Sequence, residues 1–316
     1  MDGEIPVTVA AAPPPSGNVV EWGGTNATHT GSYTHVRSAF LSTCALDDSG
    51  DLACWGKSIS NPVKLCISHE TGSSECFDNP GGSVNDYGPF TDFDFAYLGG
   101  CALNTDKEVV CWTESYSSWA AVNTFPSDLG LAEKIETSQS GYSCIIGSND
   151  KATCWGAADT PPDTEWEDIV ISNGDGFMEP LLGCGIRMDN NQVDCWKTNA
   201  AFFDPETLGA VKQLDIGRGS ACGIQVSDDV VNCIGSGHSV DHLPAGLQAS
   251  MVIVGTGAPN ATCAIRNSDQ NVQCWGGDQG QTNEPAGAVA DLSAGQNFVS
   301  AVFIQYSGQK FSERIL

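Results

Sequence analysis

Apolar and polar positions alternate along this chain in short segments, and one segment recurs with little change. It consists of a Cys, a small residue, an aliphatic residue, a polar turn, an apolar residue and then Cys-Trp-Gly. The clearest copy runs from Cys263 to Gly276. Short apolar runs on either side of a polar turn predict β-hairpins. The remaining copies run from Cys44 to Gly56, Cys101 to Trp112, Cys144 to Gly156, Cys184 to Trp196 and Cys222 to Gly235.

A further apolar run precedes most of the first cysteines. Examples are Ile169-Val170-Ile171 and Met251-Val252-Ile253-Val254, each of which follows a turn that contains proline. Each unit is therefore predicted to be a meander of at least three antiparallel strands. The repeat length of about forty residues is in the range of propeller blades.

Each end of the chain carries half of one more unit. Asn18 to Gly24 match a closing strand, with Glu21 at the position of the second cysteine. Gly295 to Phe303 match the opening strands, with Ala301 at the position of the first cysteine. Pairing the ends would remove an exposed sheet edge. The sequence thus predicts an all-β fold, a seven-bladed β-propeller whose last blade is closed by the N-terminal strand.

The fourteen cysteines fall into pairs about ten residues apart, symmetrically placed about each turn. Cysteines placed in this way can face each other across a hairpin, so each pair is predicted to be a disulfide. One disulfide in each of six blades and a seventh in an insertion indicate a secreted or extracellular protein, with the periplasm as the alternative. The predicted pairs are Cys44–Cys54, Cys66–Cys76, Cys101–Cys111, Cys144–Cys154, Cys184–Cys195, Cys222–Cys233 and Cys263–Cys274.

The domain boundaries follow from the spacing of the units. Residues 1–17 are predicted to be a flexible linker, because they include an Ala- and Pro-rich run. The propeller spans residues 18–311, with an insertion at about 57–90, and residues 312–316 form a tail. We expect the insertion to lie on one face of the ring. Inserted loops on rigid scaffolds often carry function, although a tolerated surface excursion is an equal alternative.

Charge and motifs restrict the function. The 39 acidic and 13 basic residues give a net charge of −26, which speaks against nucleic acids and anionic lipids as partners and favours a soluble monomer. No apolar stretch is long enough to span a membrane. No motif for a metal, a cofactor or a catalytic nucleophile is present, so none of these is predicted. Acidic pairs such as Asp47 and Asp48, Asp228 and Asp229, and Asp92 and Asp94 are interpreted as solvated turns.

The repeats resemble the regulator of chromosome condensation repeat family. Within it they are closest in pattern to the seven-bladed rings of the type II beta-lactamase inhibitor proteins. The similarity includes Val19-Val20-Glu21-Trp22-Gly23-Gly24 and the run from Trp275 to Gln281, and it covers Asn18 to about Phe311. The cysteine pairs depart from that pattern, as does Ile234 in place of a tryptophan.

The resemblance implies that one face of the ring binds a protein through the loop residues that precede each cysteine-bearing strand. Inhibition of an extracellular enzyme is one form that such binding could take. The alternative is a glycan-binding or glycan-cleaving propeller of the cell envelope or matrix. Two or three carboxylates meeting at the centre of the ring would favour an enzyme, whereas an aromatic patch without them would favour a protein binder. The implied binding positions are Phe40, Tyr97, Tyr142, Phe177, Arg218, Asn260 and Phe298.

Overall fold

The structure is a computed structural model, and nearly all of its regular structure is antiparallel β-strand. The helices are single turns: α1 (Ala120–Asn123), α2 (His238–Asp241) and 3₁₀ turns at Val84–Tyr87 and Pro205–Leu208. The all-β prediction is confirmed. The described residues are 15–24, 26–39, 42–56, 59–78, 80–96, 99–114, 120–138, 141–156, 160–172, 183–196, 204–217, 219–255, 261–277, 281–295 and 297–305.

Most strands belong to trios in which the first strand pairs with the second and the second with the third. Numbered in chain order, the trios are β2 (Ala27–Ala39), β3 (Ser42–Asp47) and β4 (Leu52–Trp55); β7 (Phe90–Ala96), β8 (Gly99–Asn104) and β9 (Val109–Thr113); β10 (Ala132–Thr137), β11 (Ser143–Gly147) and β12 (Ala152–Trp155); β13 (Trp166–Ile171), β14 (Gly183–Arg187) and β15 (Val193–Trp196); β16 (Val211–Ile216), β17 (Ser220–Gln225) and β18 (Val231–Gly235); β19 (Ala249–Val254), β20 (Thr262–Arg266) and β21 (Val272–Trp275); and β22 (Val289–Ala294), β23 (Phe298–Ile304) and β1 (Gly17–Gly23).

The first strand of each trio carries a β-bulge after its first paired residue. In β10, Ala132 pairs with Gly147 and the next pair is Lys134 with Ile146, so Glu133 is the extra residue. The same shift occurs in β2, β7, β13, β16, β19 and β22. A bulge bends the strand and re-aims the side chains that follow it. Beyond the bulge, residues two apart, such as Lys134 and Glu136, share one side of the strand.

The fourteen cysteines form the seven disulfides that the spacing predicts, and none is free. The paired cysteines lie directly opposite each other on neighbouring strands, as Cys144 and Cys154 do on β11 and β12. Each disulfide therefore joins two strands that the ladder already places side by side. The cross-link lowers the conformational entropy of the unfolded chain and leaves the register of the sheet unchanged.

The two ends of the chain pair with each other. Strand β1 is antiparallel to β23 from Gly17 opposite Ile304 to Gly23 opposite Phe298. Glu21 lies opposite Ser300, whereas Ala301 lies opposite Val20. Ser300, and not Ala301, thus occupies the position of the first cysteine. The expected position was wrong by one residue, and Ser300-Ala301-Val302 is the segment that matches Cys-small-aliphatic.

The insertion contains two strands, β5 (Lys64–Ser68) and β6 (Ser74–Asp78). Strand β5 pairs with β9 on one side and with β6 on the other, so that Cys66 lies between Cys111 and Cys76. The result is a five-stranded sheet in the order β6-β5-β9-β8-β7. The insertion therefore extends this sheet in its own plane, because β9 has a free edge with which β5 can pair. This differs from the excursion on one face that the sequence led us to expect.

Apolar side chains fill the spaces between consecutive trios. One cluster combines Cys101 and Val109 of the β7–β9 trio with Ile135, Ile145 and Trp155 of the next. The tryptophans of the Cys-Trp segments are largely buried here, and several also find a partner for the indole N–H. Trp22 donates to the Gln281 carbonyl at 2.8 Å, and Trp275 donates to the Ser239 carbonyl at 2.8 Å. These tryptophans hold neighbouring sheets together.

Candidate functional site

Side chains from the first strands of all seven trios converge on one cavity of about 250 Å³. Its walls come from β2, β7, β10, β13, β16, β19 and β22, and we call it the charged cavity. It is lined along one side by Arg37, Asp94, Lys134, Glu136 and Asp168. Elsewhere the wall is largely apolar, and it includes Val170, Met251, Ile253 and Val254, with Asp215 among them.

Two cations organise the charged side. Arg37 Nη1 lies 3.1 Å from Asp291 Oδ2, and its Nη2 lies 3.9 Å from Asp92 Oδ1. Lys134 bonds to Asp168, and its Nζ lies 3.5 Å from Glu136 Oε1. The acidic groups outnumber these two cations, so the cavity has an excess of negative charge when all of its carboxyl groups are ionised.

The carboxylates also accept hydrogen bonds from the backbone of the neighbouring trio. Asp94 Oδ2 accepts from Thr137 N at 2.7 Å, Asp215 Oδ2 from Val254 N at 2.6 Å, and Asp291 Oδ2 from Val36 N at 2.8 Å. Thr137, Val254 and Val36 lie in parts of their strands that pair along one side only, so their N–H groups on the other edge need acceptors. The acidic side chains supply those acceptors and link one trio to the next.

Uncharged side chains make the same kind of link. Ser293 Oγ accepts from Ser38 N at 2.8 Å, and Gln213 Oε1 accepts from Val252 N at 3.0 Å. The β22–β2 contact is made by Asp291 and Ser293, which come from the C-terminal part of the chain and bond to a strand near its N-terminus. The first and last trios are therefore joined by the same kind of bond as other neighbouring trios. In addition β1 pairs directly with β2, from Gly17 opposite Tyr33 to Glu21 opposite Ala27, so these two trios form one six-stranded sheet.

Burial changes the protonation of these acids. Burial raises the pKa of Asp94 to about 6, although Arg37 and the N–H groups of Thr137 and Phe95 oppose the shift. Burial raises the pKa of Asp215 to about 7, against the N–H groups of Val254 and Ile216. Burial and the nearby Asp94 and Asp168 carboxylates raise the pKa of Glu136 well above its ordinary value, despite Lys134. Part of the cavity's negative charge is thus neutralised by protons near neutral pH.

The two cations keep their charge. Burial alone would lower the pKa of Arg37, but Asp291 and Asp92 outweigh it and raise that pKa above its usual range. Lys134 behaves in the same way, because Asp168 and Glu136 raise its pKa against the effect of burial.

The chemistry open to the cavity depends on which oxygens are free. Asp94 and Asp215 each accept backbone N–H bonds on both carboxylate oxygens, since Oδ1 of each bonds to the next residue in its own strand at 2.8 Å. Such groups are held as acceptors rather than presented to a ligand. Glu136 differs, because in the described part of the chain its contact is the 3.5 Å one between its Oε1 and Lys134 Nζ.

The sequence pattern did not identify these residues. Asp92 and Asp94 were expected in a solvated turn, but both lie on β7, and Asp94 is only 9% exposed. That expectation is wrong, because the bulge after Phe90 places both residues on the cavity side of the strand. Asp47, Asp48 and the pair Asp228 and Asp229 do lie at strand ends or turns. Asp94, Glu136 and Asp215 each lie four positions after the first residue of their bulged strand, a spacing that the sequence shows only once the strand starts are known.

Two of the seven predicted binding positions lie in the described residues. Tyr142 is buried, and its hydroxyl accepts a hydrogen bond from Trp196 Nε1 at 2.9 Å. Phe298 is buried at the start of β23. The contacts of both rings indicate packing. The other five positions, Phe40, Tyr97, Phe177, Arg218 and Asn260, lie outside the described residues, and the binding role of the set stays a prediction.

In the part of the chain that the structure describes, no group of three or more His, Cys, Asp or Glu side chains is arranged to hold a metal ion. Among the same residues no helix has the length and apolarity needed to cross a membrane.

Comparison with solved structures shows the fold. The ectodomain of the receptor kinase CR4 from Physcomitrella patens superposes with a TM-score of 0.62 at 15% identity, over 92% of this chain and 72% of that one. The CRINKLY WD40 ectodomain of ACR4 from Arabidopsis thaliana gives 0.59 at 18% identity, over 86% and 92%. Yeast RCC1 (Prp20), in its complex with Kap60, gives 0.59 at 10% identity, over 93% and 90%.

The fold is an RCC1-like β-propeller. The expected resemblance to the regulator of chromosome condensation repeat is confirmed at the level of fold. The closer resemblance to the type II beta-lactamase inhibitor proteins stays a prediction. In comparisons by sequence, no protein-family model and no curated protein matches this chain. Identities this low establish the architecture alone, so function has to be argued from the site.

Proposed function

We propose that this propeller is an extracellular binding module that holds a protein partner on the loops at one face of a closed, seven-bladed ring. The observation that carries the proposal is the engagement of the cavity carboxylates. Asp94, Asp215 and Asp291 bond to the backbone of the neighbouring trio, so the cluster expected of an enzyme is used to join blades. Recognition of the partner is then assigned to the outer surface of the propeller.

A closed ring of seven blades is part of this proposal. It is supported by the pairing of β1 with β23 and by the bonds that Asp291 and Ser293 make to β2. It is also supported by seven first strands lining one cavity. A closed ring presents its loops in a fixed arrangement. Preorganisation of this kind lowers the entropic cost of binding.

The extracellular location is supported by the seven disulfides, which persist in oxidising compartments. Two of the structures with this fold are receptor-kinase ectodomains. Another structure with this fold is yeast RCC1, in a complex with Kap60. The positions proposed for contact are the predicted loop residues Phe40, Tyr97, Phe177, Arg218 and Asn260.

Capture from the native extracellular fluid tests the proposal. The immobilised chain should retain a protein that mass spectrometry identifies. The triple variant Phe40→Ala, Tyr97→Ala, Arg218→Ala should retain much less of it. Val226→Ala, which removes an exposed apolar side chain at a turn, serves as the control. Recovery of no protein, together with binding to a glycan array, would overturn the proposal.

A second candidate function rests on Glu136, whose oxygens, among the described residues, are not both held by backbone N–H groups as those of Asp94 are. A carboxylic acid with a raised pKa that lines a cavity is suited to the general acid role in glycoside hydrolysis. Release of reducing sugar from a polysaccharide panel, abolished by Glu136→Gln in a chain of unchanged melting temperature, would support it. Absence of any hydrolysis between pH 4 and 8 would count against it.

A further inference from the structure

The β6 strand forms one edge of the only five-stranded sheet in the described chain. It pairs with β5, and β6 has no second partner strand among the described residues. Sheet edges are usually short, bent or covered, because their free N–H and C=O groups can pair with another chain. β6 is held flat against β5 by five pairs of residues and by the Cys66–Cys76 disulfide.

The register shows which backbone groups of β6 point outward. Cys66 and Cys76 lie opposite each other with their Cα atoms 4.0 Å apart, which is the short spacing of a non-hydrogen-bonded pair. The N–H and C=O of Cys76 therefore point away from β5, and so do those of Ser74 and Asp78 at a period of two. In the described structure no hydrogen bond to these outward groups is present.

The side chains of β6 suit a particular kind of partner. Phe77 is 38% exposed and is the only aromatic residue among the large exposed apolar side chains of the described part. It lies between Glu75, which is 62% exposed, and Asp78, which is also exposed. Exposed Glu70 lies in the adjoining turn. An aromatic side chain can anchor a partner's aliphatic stem, while the carboxylates attract its cations.

The charge of the molecule favours a basic partner over a second copy of this chain. Each copy carries a net charge of −26, so two copies would repel each other as their edges approached. A lysine- or arginine-rich segment would instead be attracted over the whole approach. Specific ion pairs with Glu75 and Asp78 would then fix its register.

We infer that the β6 edge is a docking strand for an extended, basic segment of a partner protein, which adds to the sheet as a sixth strand and covers Phe77. Binding by strand addition draws affinity from main-chain hydrogen bonds and specificity from alternate side chains. The inference deepens the proposed function, because it assumes that the partner is a protein, and it places contact on the insertion.

The probe is an octapeptide of alternating lysine and valine with blocked ends, added to the ¹⁵N-labelled full chain. Amide exchange of Ser74, Cys76 and Asp78 should slow by about tenfold or more at saturation, because their outward N–H groups become bonded. The amides of Glu75 and Phe77 already face β5 and should change little. The matched glutamate–valine peptide should give no protection.

Variants separate local recognition from general attraction to an acidic protein. Glu75→Lys with Asp78→Lys should weaken the basic peptide by about tenfold or more, whereas Glu167→Lys, an exposed reversal on β13, should change affinity by less than about twofold. Phe77→Ala should weaken binding of the basic peptide, and Val226→Ala should not. Equal effects of the two charge reversals, or protection by the glutamate peptide, would overturn the inference. So would a dimer in sedimentation equilibrium that Phe77→Ala disrupts.

The capture experiment keeps the two proposals apart. A partner retained equally by the wild-type chain and by Phe77→Ala leaves the chain a protein binder and overturns the docking strand. Protection of Cys76 by the basic peptide, together with a partner that the triple variant Phe40→Ala, Tyr97→Ala, Arg218→Ala retains as well as the wild type does, supports the docking strand and overturns binding on the face loops.

Discussion

Among single residues, Cys76 differs from the other thirteen cysteines in being exposed. Its partner Cys66 is buried, and in the other six disulfides both sulfurs are buried or half-buried. Thiol–disulfide exchange requires access of the attacking group to a sulfur. The Cys66–Cys76 bond should therefore be the first to be reduced in the folded protein.

Limited reduction with a phosphine, followed by alkylation and mass spectrometry, measures this order. Cys66 and Cys76 should be labelled about tenfold faster than the other cysteines, because Cys76 is the exposed cysteine. Labelling of Cys44 and Cys54 at the same rate would contradict the expectation.

Asp215 couples stability to pH. Its folded pKa of about 7 lies above its ordinary value, so the folded state holds a proton that the unfolded state releases. The stabilisation is complete below about pH 4 and is lost as the pH rises through about 7. Between pH 5 and pH 8 the contribution of this one group should fall by on the order of 1–3 kcal/mol.

Asp215→Asn should flatten that dependence. Chemical denaturation at pH 5 and pH 8 should show a smaller loss of unfolding free energy in the variant than in the wild type. Asp48→Asn, in an exposed turn, should leave the difference unchanged. An equal loss in the wild type and Asp215→Asn would show that Asp215 does not carry the effect.

At the scale of strands, local pattern predicted what depends on neighbours in sequence. Cysteine spacing about a turn is enough to predict each cross-strand disulfide, because the hairpin closes on itself. The bulge before Lys134 and the six equivalent bulges have no comparable sequence signature. The sequence alone therefore did not predict that Asp94 and Asp215 face the cavity. The pairing of β5 with β9 joins residues more than forty positions apart, and short-range alternation carries no information about it.

Truncation of strand β1 tests how much the pairing of the two chain ends stabilises the fold. The strand contributes seven paired residues to β23, buries Val19 and Trp22, and carries the Trp22 bond to Gln281. Deleting residues 1–23 should lower the unfolding free energy by at least about 3 kcal/mol, since each large apolar side chain contributes roughly 1.5–3 kcal/mol. Deleting only residues 1–14 should leave it nearly unchanged. Equal melting temperatures for the two truncations would mean that the ends do not stabilise each other.

At the scale of the whole molecule, the acidic residues act in two separate places. Inside, carboxyl groups have raised pKa values, pair with Arg37 and Lys134, and bond to the edges of neighbouring strands. Outside, they give the surface its negative field and surround Phe77 on the β6 edge. The proposed function depends on this division, because it assigns stability to the cavity and recognition to the surface.

Substitutions at Asp291 and in the predicted surface loops test directly whether the cavity provides stability and the surface provides recognition. Asp291→Ala removes the acceptor for the buried Val36 N–H and one partner of Arg37. It should lower the unfolding free energy by about 1–3 kcal/mol and change the affinity for a captured partner by less than about twofold. Phe40→Ala with Arg218→Ala should do the reverse, weakening binding by about tenfold at nearly constant stability. Denaturation and titration calorimetry measure both quantities. An Asp291→Ala chain that keeps its stability but loses the partner would place recognition in the cavity, because Asp291 holds Arg37, which lines that cavity.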